Sequence, residues 1–577
     1  MADEWGIALN LAEPATLAAL AGRAEAGGLD VVVLEEDDND EDNGLDPWTT
    51  AAFLAGRTDS IQIAIPGEPG AVSPAMTAKA LDSLALLAGT RLITTGLDGE
   101  IAPATTLDDV DRLVEKAGVR DRSQRPAAVR AQRRDGIDYD GIPASLTGTA
   151  IEPGDPGYRG VRSTYLRGGS PGLVLRPRTP AEVADALAFA RRHRHVPLGV
   201  RSAGHGVSGR STNDGGLIID VSALNEITVL DERSRRVRIG PGATWKQVAA
   251  ALDRHGWALG SGDYGGVGVG GLATAGGIGL LSREHGLTID RLRAVELTTA
   301  DGTHVRASAQ ENPDLFWAVR GAGANFGVAT AFEFEAEEVG EVGWAQLVLV
   351  SPDIEQTLAE FGAVARAADR DTTVFLVTGP PRQGQSVVQL YGLVDNPDPE
   401  VVVERLTPFA QTGLLAQQQV VLTSYAQVMA GAADVGPNGH HGRGEPVTRS
   451  AFLPVLTPEF ARDAARLLRT GQVYFFQLRH MGGAIADTPA DATAFTHRTP
   501  EFQVTAMGGD RAALDIAWDR LAHHFDGLYL SFETDSRPER LTDAFPPPVL
   551  ERLRGLKHDY DPTNLFRDNF NIQPRKN

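Results

Sequence analysis

The sequence predicts a multidomain protein that combines α/β units with an α+β region. In the first 120 residues, short β-rich runs alternate with Ala- and Leu-rich helical runs, a pattern typical of parallel βαβ units. Three glycine-rich loops follow between positions 201 and 327, within a region where strand and helix patterns again alternate. At roughly 150 residues per domain, a chain of 577 residues corresponds to about three or four domains.

Composition limits the partners of such a protein. Hydrophobic residues make up 42% and charged residues 23%, which is ordinary for a globular protein, and the net charge of -22 disfavours nucleic acid and anionic membranes as partners. No apolar run approaches the length of a bilayer span, and the start, MADEWGIALN, lacks a basic segment followed by an apolar core, so we expect a cytoplasmic protein. Because the chain has no cysteine, disulfides, thiolate metal sites and cysteinyl cofactor bonds are excluded.

Residues 1–120 are predicted to alternate strands with helices. Pro47 and Pro74 suit the first helical turn, since Asp46 and Ser73 before them are good caps. The acidic run Glu35–Asp42 follows a strand, which is a functional position in barrels, but blocks of like charge are more often solvated loops. The predicted strands are 6–11, 29–34, 61–65 and 91–95, and the predicted helices are 15–26, 47–56 and 74–87.

Three segments of this region, AEAGGLDVVVLEE, LDPWTTAAFLAGRTDSIQIAI and SPAMTAKALDSLALLAGTRL, resemble the N-terminal portion of luciferase-like flavin monooxygenases. That family forms a barrel of eight strands, which takes about 250 residues, whereas only about four strands are predicted here. The resemblance therefore implies a truncated (β/α) half barrel. Its open edges and apolar face would pack on the rest of the chain or on a second copy, giving a homo-oligomer.

Residues 121–157 are rich in Arg, Asp, Gly and Pro without a clear period, and we interpret them as a linker over the surface. The next unit begins with a strand, a helix and a strand in SPGLVLRPRTPAEVADALAFARRHRHVPLGV. Thr179, Pro180 and Glu182 predict the start of that helix.

The first glycine-rich loop, Arg201–Gly216, lies between two apolar strand-like runs and contains small residues and one histidine. Glycine lets the backbone approach a ligand closely, and successive free amides attract phosphate. A structural turn with a hydrogen-bonded histidine is the alternative interpretation.

Ten of the twenty residues of the second loop, Gly260–Gly279, are glycine. Gly268, Gly270 and Ala273 formally satisfy a dinucleotide-binding pattern, although no clean strand leads into it. A hairpin with an Asp-Gly turn follows, and the third loop lies in NPDLFWAVRGAGANFGVATAFEFEA. Three such loops are consistent with a long ligand carrying several phosphates, or a dinucleotide, in a groove.

Five motifs in order, RSAGHG, TNDGG, VGVGGLATAGGIGLLSREHGLTID, DLFWAVRGAGANFGV and YDPTNLFRDNFNIQP, resemble the FAD-linked oxidases of the berberine bridge enzyme group, with a vanillyl-alcohol oxidase type FAD domain. The resemblance spans about Tyr158–Pro574. It implies a two-part FAD-binding domain at 158–340, a substrate domain at 341–540 with an antiparallel sheet and helices on its outer face, and a C-terminal segment at 541–577 that returns to the flavin.

Within that resemblance, His205 occupies the position of a covalent bond to the flavin 8α carbon. Tyr264 falls where many relatives form a second, cysteinyl bond, so FAD would be attached through His205 alone. Val267 falls at the small residue associated with oxygen access and favours an oxidase, although a packing role is equally compatible. The resemblance assigns the pyrophosphate turn to Arg201, Ser202, Ala203, Gly204 and Gly206. It assigns further cofactor contacts to Gly262, Val267, Gly268, Gly271, Thr274, Gly277, Gly279, Asn325, Gly327, Asn569 and Asn571.

Two side chains are candidates for catalysis. Tyr529, in LYLSFETD, takes the position of a tyrosine base, but a phenol with an ordinary pKa near 10 needs a supporting neighbour, and a core tyrosine is the alternative. In FFQLRHMGGAIAD, His480 or Gln477 would face the flavin; residues 478 and 480 share one strand face, and 477 and 479 the other. His480 could accept a proton at neutral pH. His440 and His441 are interpreted as loop residues, and no metal site is predicted.

The resemblance thus implies an FAD-dependent oxidase that transfers hydride from an alcohol or amine to covalently bound flavin, with oxygen as reoxidant and hydrogen peroxide as product. A flavin-dependent dehydrogenase with another acceptor, its N-terminal segment acting as a non-catalytic assembly module, is the alternative. A luciferase-like monooxygenase would need a closed barrel. The partners are a small-molecule substrate and oxygen, and the sequence carries no readable code for the substrate.

Overall fold

The computed structural model describes residues 4–10, 13–26, 29–35, 47–58, 61–65, 92–93, 99–117, 127–155, 157–432, 445–535, 537–568 and 570–575. The chain forms two compact units, Met1–Arg162 with Ser170–Leu175 and Ser163–Gly169 with Arg176–Asn577. The finer division of the second unit into FAD-binding and substrate domains stays a prediction. The predicted helix 74–87, the acidic run after Glu35, His440, His441 and Asn569 lie outside the described residues.

The first unit contains a parallel sheet, as the alternation of strands and helices predicts. Its strand order is β4-β3-β2-β1-β5, and every pairing is parallel. The fifth strand is absent from the prediction because its sequence, GEIAP, has neither an alternating pattern nor a β-branched run. The strands are β1 Glu4–Asn10, β2 Val31–Glu35, β3 Gln62–Ala64, β4 Leu92–Ile93 and β5 Gly99–Pro103.

Both faces of this sheet are apolar, as expected for a parallel sheet. Ile7 and Leu9 pack with helix residues such as Leu20 and Leu54, whereas Ala8 belongs to a smaller cluster on the opposite face. Residues 127–155, within the predicted linker, also belong to this unit. The helices are Pro14–Ala26, Pro47–Ala55, Leu107–Ala117, Ala127–Arg130 and Tyr158–Arg162, and one further strand is β6 Leu173–Leu175.

The N-terminal part of the second unit surrounds the glycine-rich loops. Strands β7 and β8 pair in parallel on either side of the first loop, and a five-stranded antiparallel sheet has the order β13-β12-β14-β10-β9. The predicted helix start is confirmed, because the Thr179 hydroxyl accepts a hydrogen bond from the Glu182 amide. The strands are β7 Leu198–Arg201, β8 Leu217–Asp220, β9 Ile227–Asp231, β10 Arg236–Ile239, β11 Trp257–Ala258, β12 Leu292–Thr298, β13 His304–Ser308, β14 Val328–Glu335 and β15 Glu337–Glu338. The helices are Pro180–Arg192, Trp245–Asp253, Val269–Leu272, Ser282–His285 and Pro313–Ala322.

A seven-stranded antiparallel sheet forms the rest of the unit, in the order β19-β16-β18-β17-β21-β22-β20. One face packs on helices through a core that includes Leu358, Phe361, Phe460 and Leu478. The predicted antiparallel sheet with helices on one face is therefore confirmed. The strands are β16 Glu341–Ser351, β17 Thr372–Thr378, β18 Ser386–Val394, β19 Leu414–Ser424, β20 Val447–Leu453, β21 Phe475–His480 and β22 Phe502–Gly508. The helices are Ile354–Ala367, Pro399–Ala410, Tyr425–Ala430, Pro458–Arg469, Ala484–Asp487, Arg511–Asp519, Leu541–Ala544 and Pro547–Tyr560.

None of the described helices combines the length and the apolar character that crossing a bilayer requires.

Candidate active site

A cavity of about 1400 Å³ lies in the second unit. Its wall combines the three glycine-rich loops with the face of the seven-stranded sheet that lies opposite the core around Phe361 and Leu478. Pockets for a single small ligand usually measure about 300–1000 Å³, so this space can hold a dinucleotide and a substrate together. The sheet contributes Trp344, Gln346, Gln389, Tyr391, Gln477 and Arg479 to the wall.

His205 lies in the cavity wall between two tyrosines. The ring of Tyr165 stacks on the imidazole with a centroid separation of 4.9 Å, and the ring of Tyr264 lies 5.5 Å away. The Tyr165 amide also donates a hydrogen bond of 2.7 Å to the carbonyl of Gly204, which fixes this tyrosine to the loop. Tyr165 carries no signal in the sequence, because it stands alone in STYLRGG.

Glycine at position 268 allows two of the loops to meet. A Cβ atom there would lie 2.1 Å from the Ser202 hydroxyl oxygen and 2.7 Å from the Ala203 amide nitrogen. In contrast, a Cβ atom at Gly271 would have no neighbour within 4 Å. Gly268 is therefore required by close approach of the backbone, whereas Gly271 is not.

Most of the predicted cofactor residues meet at the cavity. Those that line it are Ser202, Ala203, Gly204, His205, Gly206, Gly262, Val267, Gly268, Gly271, Thr274, Asn325 and Gly327. The predicted positions that do not line it are Arg201, Gly277, Gly279 and Asn571.

These four positions lie behind the cavity wall, and their contact with the cofactor stays a prediction. Arg201 donates a 2.7 Å hydrogen bond to the carbonyl of Ser163, and burial is the main cause that lowers its pKa. A Cβ atom at Gly279 would overlap the Ser261 carbonyl oxygen at 1.6 Å. The Asn571 side-chain oxygen is buried, without a hydrogen-bond partner among the described residues. A sequence motif does not distinguish residues that line the cavity from residues that lie behind its wall.

A buried lysine fixes the C-terminal segment beside the loops. Lys557 donates hydrogen bonds to the carbonyls of Asn325 and Phe566, at 2.8 and 3.0 Å, and to the carboxylate of Asp561 at 2.7 Å. The Asn325 side chain accepts a hydrogen bond from the Ile572 amide. Burial is the main cause that lowers the pKa of Lys557, and Asp561 opposes it. This network was not predicted; its sequence signal is a Lys and an Asp four residues apart.

Arg210 is a second residue that the sequence did not reveal. Its guanidinium lies 3.6 Å from the ring centroid of Phe570 in the cavity wall. Its buried Nη2 atom has no hydrogen-bond partner among the described residues, and burial lowers its pKa to about 9. A buried cation of this kind is stabilised when an anionic group binds beside it. Together with the loops around Gly268, this arrangement fits FAD, which carries two phosphates.

Tyr529 lines the cavity, but most of its ring is buried against Phe452, Phe495 and Phe532. Its hydroxyl accepts a hydrogen bond of 3.1 Å from the Gly277 amide. Tyr529 is therefore both a residue of the cavity wall and a residue of the core, the two interpretations that the sequence leaves open.

His480 does not line the cavity, and its catalytic role stays a prediction. Its ring stacks on Phe502 on the helix-covered side of the sheet, and burial, followed by the charge of Arg283, holds its pKa well below the ordinary value. Strand alternation instead places Gln477 and Arg479 in the cavity wall.

Gln477 and Arg479 both bind Asp263, which the sequence reasoning did not select. Arg479 lies 2.9 Å from one carboxylate oxygen of Asp263, and the Gln477 amide donates to the same oxygen at 3.3 Å. Asp263 directly precedes Tyr264 in the second glycine-rich loop. These contacts connect the loop that carries Tyr264 to the sheet.

Three segments of the chain match known families. Residues 171–308 match an FAD binding domain, and residues 548–573 match the family described as berberine and berberine like. Residues 4–98 match luciferase-like monooxygenase. With the cavity described above, these matches define the chain as an FAD-binding oxidoreductase.

Similar proteins support the same class. The chain is 28% identical to (R)-6-hydroxynicotine oxidase of Paenarthrobacter nicotinovorans, over 75% of this chain and 98% of that protein. It is 26% identical to chitooligosaccharide oxidase of Gibberella zeae, over 70% and 88% of the two chains. The solved structure of 6-hydroxy-D-nicotine oxidase from Arthrobacter nicotinovorans superimposes with a TM-score of 0.67 at 24% identity, covering 75% of this chain and 100% of that chain. The resemblance to berberine bridge enzyme-like FAD-linked oxidases, with a luciferase-like segment before them, is confirmed.

Proposed function

We propose that this protein is an oxidase that removes hydride from an alcohol, with FAD attached covalently through His205 and oxygen as the final acceptor, yielding hydrogen peroxide. The single observation that carries the proposal is the continuous cavity, in which His205 and a polar sheet face occupy one space. FAD, when bound, supplies the hydride acceptor, and the protein supplies binding, orientation and electrostatics.

His205 is suited to hold the cofactor by a single bond. Tyr165 and Tyr264 pack around its ring and limit its orientation. Tyr264 occupies the place of the second, cysteinyl bond, which this cysteine-free chain has no residue to form. The loops would hold the phosphates of FAD through backbone amides, and Arg210 would add a positive charge.

Two groups in the cavity are suited to accept the substrate proton. Tyr529 lines the cavity, and its hydroxyl is oriented by the hydrogen bond that it accepts from the Gly277 amide. Asp263 presents a carboxylate oriented by Arg479 and Gln477. We assign the base to Tyr529 and keep Asp263 as the competing assignment.

The charges of the cavity favour an alcohol over an amine. Among the described lining residues, the arginines are Arg210, Arg382 and Arg479, and the carboxylates are Asp263 and Asp568. Asp263 is paired with Arg479, so a cationic amine would have to compete with this arginine for the carboxylate. Side-chain amides and the stacked rings of Trp344 and Tyr391 suit a neutral molecule with several hydroxyls. Among the similar proteins, chitooligosaccharide oxidase is named for a substrate of this kind.

The test begins with the colour of the purified protein. The wild-type protein should be yellow, and the colour should stay with the polypeptide after acid precipitation, whereas His205→Ala should release it. Colour in the wild-type supernatant would contradict the covalent bond. A screen for peroxide release should then give activity with neutral oligosaccharides rather than with amines. Turnover that needs a dye acceptor and yields no peroxide would identify a dehydrogenase.

For the first unit we propose a non-catalytic assembly role. Five of its described strands form an open sheet that ends in β4 and β5, and sheet edges are templates for pairing. Sedimentation of the full-length protein should give more than one copy per particle. A monomer at all concentrations would contradict this role.

A further inference from the structure

Two histidines and an aspartate meet on the helix-covered side of the seven-stranded sheet, away from the cavity. Asp463 lies on the helix Pro458–Arg469, and His523 and His524 lie in the short turn that follows the helix Arg511–Asp519. One ligand atom from each residue lies within 4.8 Å of the others. We propose that these three side chains bind a divalent transition metal of the zinc class, a site that is independent of the proposed oxidase function.

Both imidazoles converge on one carboxylate oxygen. The Nε2 atoms of His524 and His523 lie 3.1 and 3.9 Å from the same Oδ2 atom of Asp463. In a tetrahedral zinc site, ligand atoms about 2.1 Å from the ion are separated by about 3.4 Å, which lies between these two distances. A hydrogen bond to Asp463 accounts for the position of the His524 ring. The 3.9 Å separation of His523 from the same oxygen is too long for a hydrogen bond.

The surroundings hold the ligands in this orientation. The other carboxylate oxygen of Asp463 accepts a 2.9 Å hydrogen bond from Arg466, which leaves Oδ2 for the ion. The ring of His524 packs edge-on against Phe460, with a centroid separation of 5.4 Å. The amide of His524 donates to the carbonyl of Leu521, which fixes the turn. The hydrogen bond from Arg466 to the Asp463 carboxylate is an outer contact of the kind found at protein metal sites.

The donor set identifies the class of ion. Two imidazole nitrogens and one carboxylate oxygen suit Zn²⁺, Ni²⁺ or Cu²⁺, whereas Mg²⁺ and Ca²⁺ prefer oxygen ligands. Arg466 carries a positive charge near the site, but 67% of its side chain is exposed, so solvent and salt screen that charge. A bound ion would clamp the helix Pro458–Arg469 to the turn and stabilise the protein against unfolding.

The experiment uses full-length, flavin-loaded protein treated with EDTA and desalted. In a titration with Zn²⁺ against a chromophoric chelator, the wild-type protein should bind one zinc ion that His523→Ala binds at least about 10-fold more weakly. The His523 side chain is 56% exposed, so its removal should leave the fold intact. Bound Cu²⁺ should show the couplings of two nitrogens in its electron paramagnetic resonance spectrum, and His523→Ala should lose one of them.

Two controls locate the site. His304→Ala removes a histidine that lies 3.4 Å from Glu296, without a third ligand among the described residues, and should leave the titration unchanged. The double variant His440→Ala/His441→Ala should also leave it unchanged. The proposal is overturned if the wild-type protein binds no zinc, if His523→Ala binds zinc as the wild type does, or if the double variant loses the ion.

Discussion

The glycine-rich loops and the seven-stranded sheet both line one cavity, yet they contribute to it by different means. The loops contribute mainly backbone, and positions such as Gly268 allow no side chain because other loop atoms are too close. The sheet contributes side chains such as Gln389, Tyr391 and Arg479. We infer that the loops form a cofactor wall, which depends on close packing of backbone. The sheet would form a substrate wall, which depends on the identity of exchangeable side chains.

The largest effect is expected at Lys557, which fixes the C-terminal segment to the cofactor wall. Lys557→Met leaves Asp561 as a buried, unpaired charge, and breaking such a pair costs about 3–5 kcal/mol of unfolding free energy. Urea unfolding measures this cost. As a control, Arg370→Met breaks an exposed pair with Asp487 and should cost less than about 1 kcal/mol. Equal costs for the two variants would show that the buried network does not hold the wall.

The second prediction tests backbone packing in the loops. Gly268→Ala places a Cβ atom 2.7 Å from the Ala203 amide nitrogen, so the loops must separate at a cost of about 1–3 kcal/mol, and most of the flavin should be lost. Gly340→Ala is the control because its Cβ atom meets nothing within 4 Å and the position does not line the cavity. Flavin content is measured as the ratio of visible to ultraviolet absorbance. Retention of flavin in both variants would break the contrast between the walls.

The third prediction concerns the sheet. Arg479→Met removes the partner of Asp263 and should lower kcat/KM about 10- to 100-fold, a change of about 1.4–2.7 kcal/mol, while flavin content stays at the wild-type level. The rate of anaerobic flavin reduction by the substrate found in the peroxide screen measures catalysis separately from flavin content. Arg382→Ala, at an exposed position of the rim, is the control and should change kcat/KM less. Loss of flavin from Arg479→Met would contradict the independence of the two walls.

The smallest effect is expected from His480, on the far side of the sheet. Burial lowers the pKa of this histidine in the folded state, so the neutral ring is favoured and the unfolded chain takes up the proton first. The stability that the neutral ring contributes is fully present above the unfolded-state pKa of about 6.5. As the pH falls below that value, the free energy of unfolding decreases by up to about 1.4 kcal/mol per pH unit. His480→Gln should therefore flatten the decrease of unfolding free energy between pH 7 and 5. Equal slopes of unfolding free energy against pH for the variant and the wild type would show that His480 does not cause the decrease. If His480 were catalytic, the variant would instead lose turnover at pH 7.

The sequence predicted the cofactor wall better than the substrate wall. Loop motifs can be recognised in the sequence, because a position that requires glycine shows a glycine wherever in the chain its close neighbour lies. His205 lies within one such motif. The sheet residues are not marked in this way. Gln477 and His480 are equally plausible in sequence, and only the packing of helices on one face shows that Gln477 points into the cavity.

Taken by itself, the sequence determined the fold class, the three loops, the absence of a cysteinyl bond and the place of His205. These depend on residue type and on spacing along the chain, which are local properties. Tertiary structure alone decided that Tyr165 stacks on His205, that Arg210 is a buried cation beside Phe570, and that Asp463 meets two histidines about sixty residues away. The physical reason is that burial and pairing depend on distances between segments that are remote in sequence, and no local pattern records such distances.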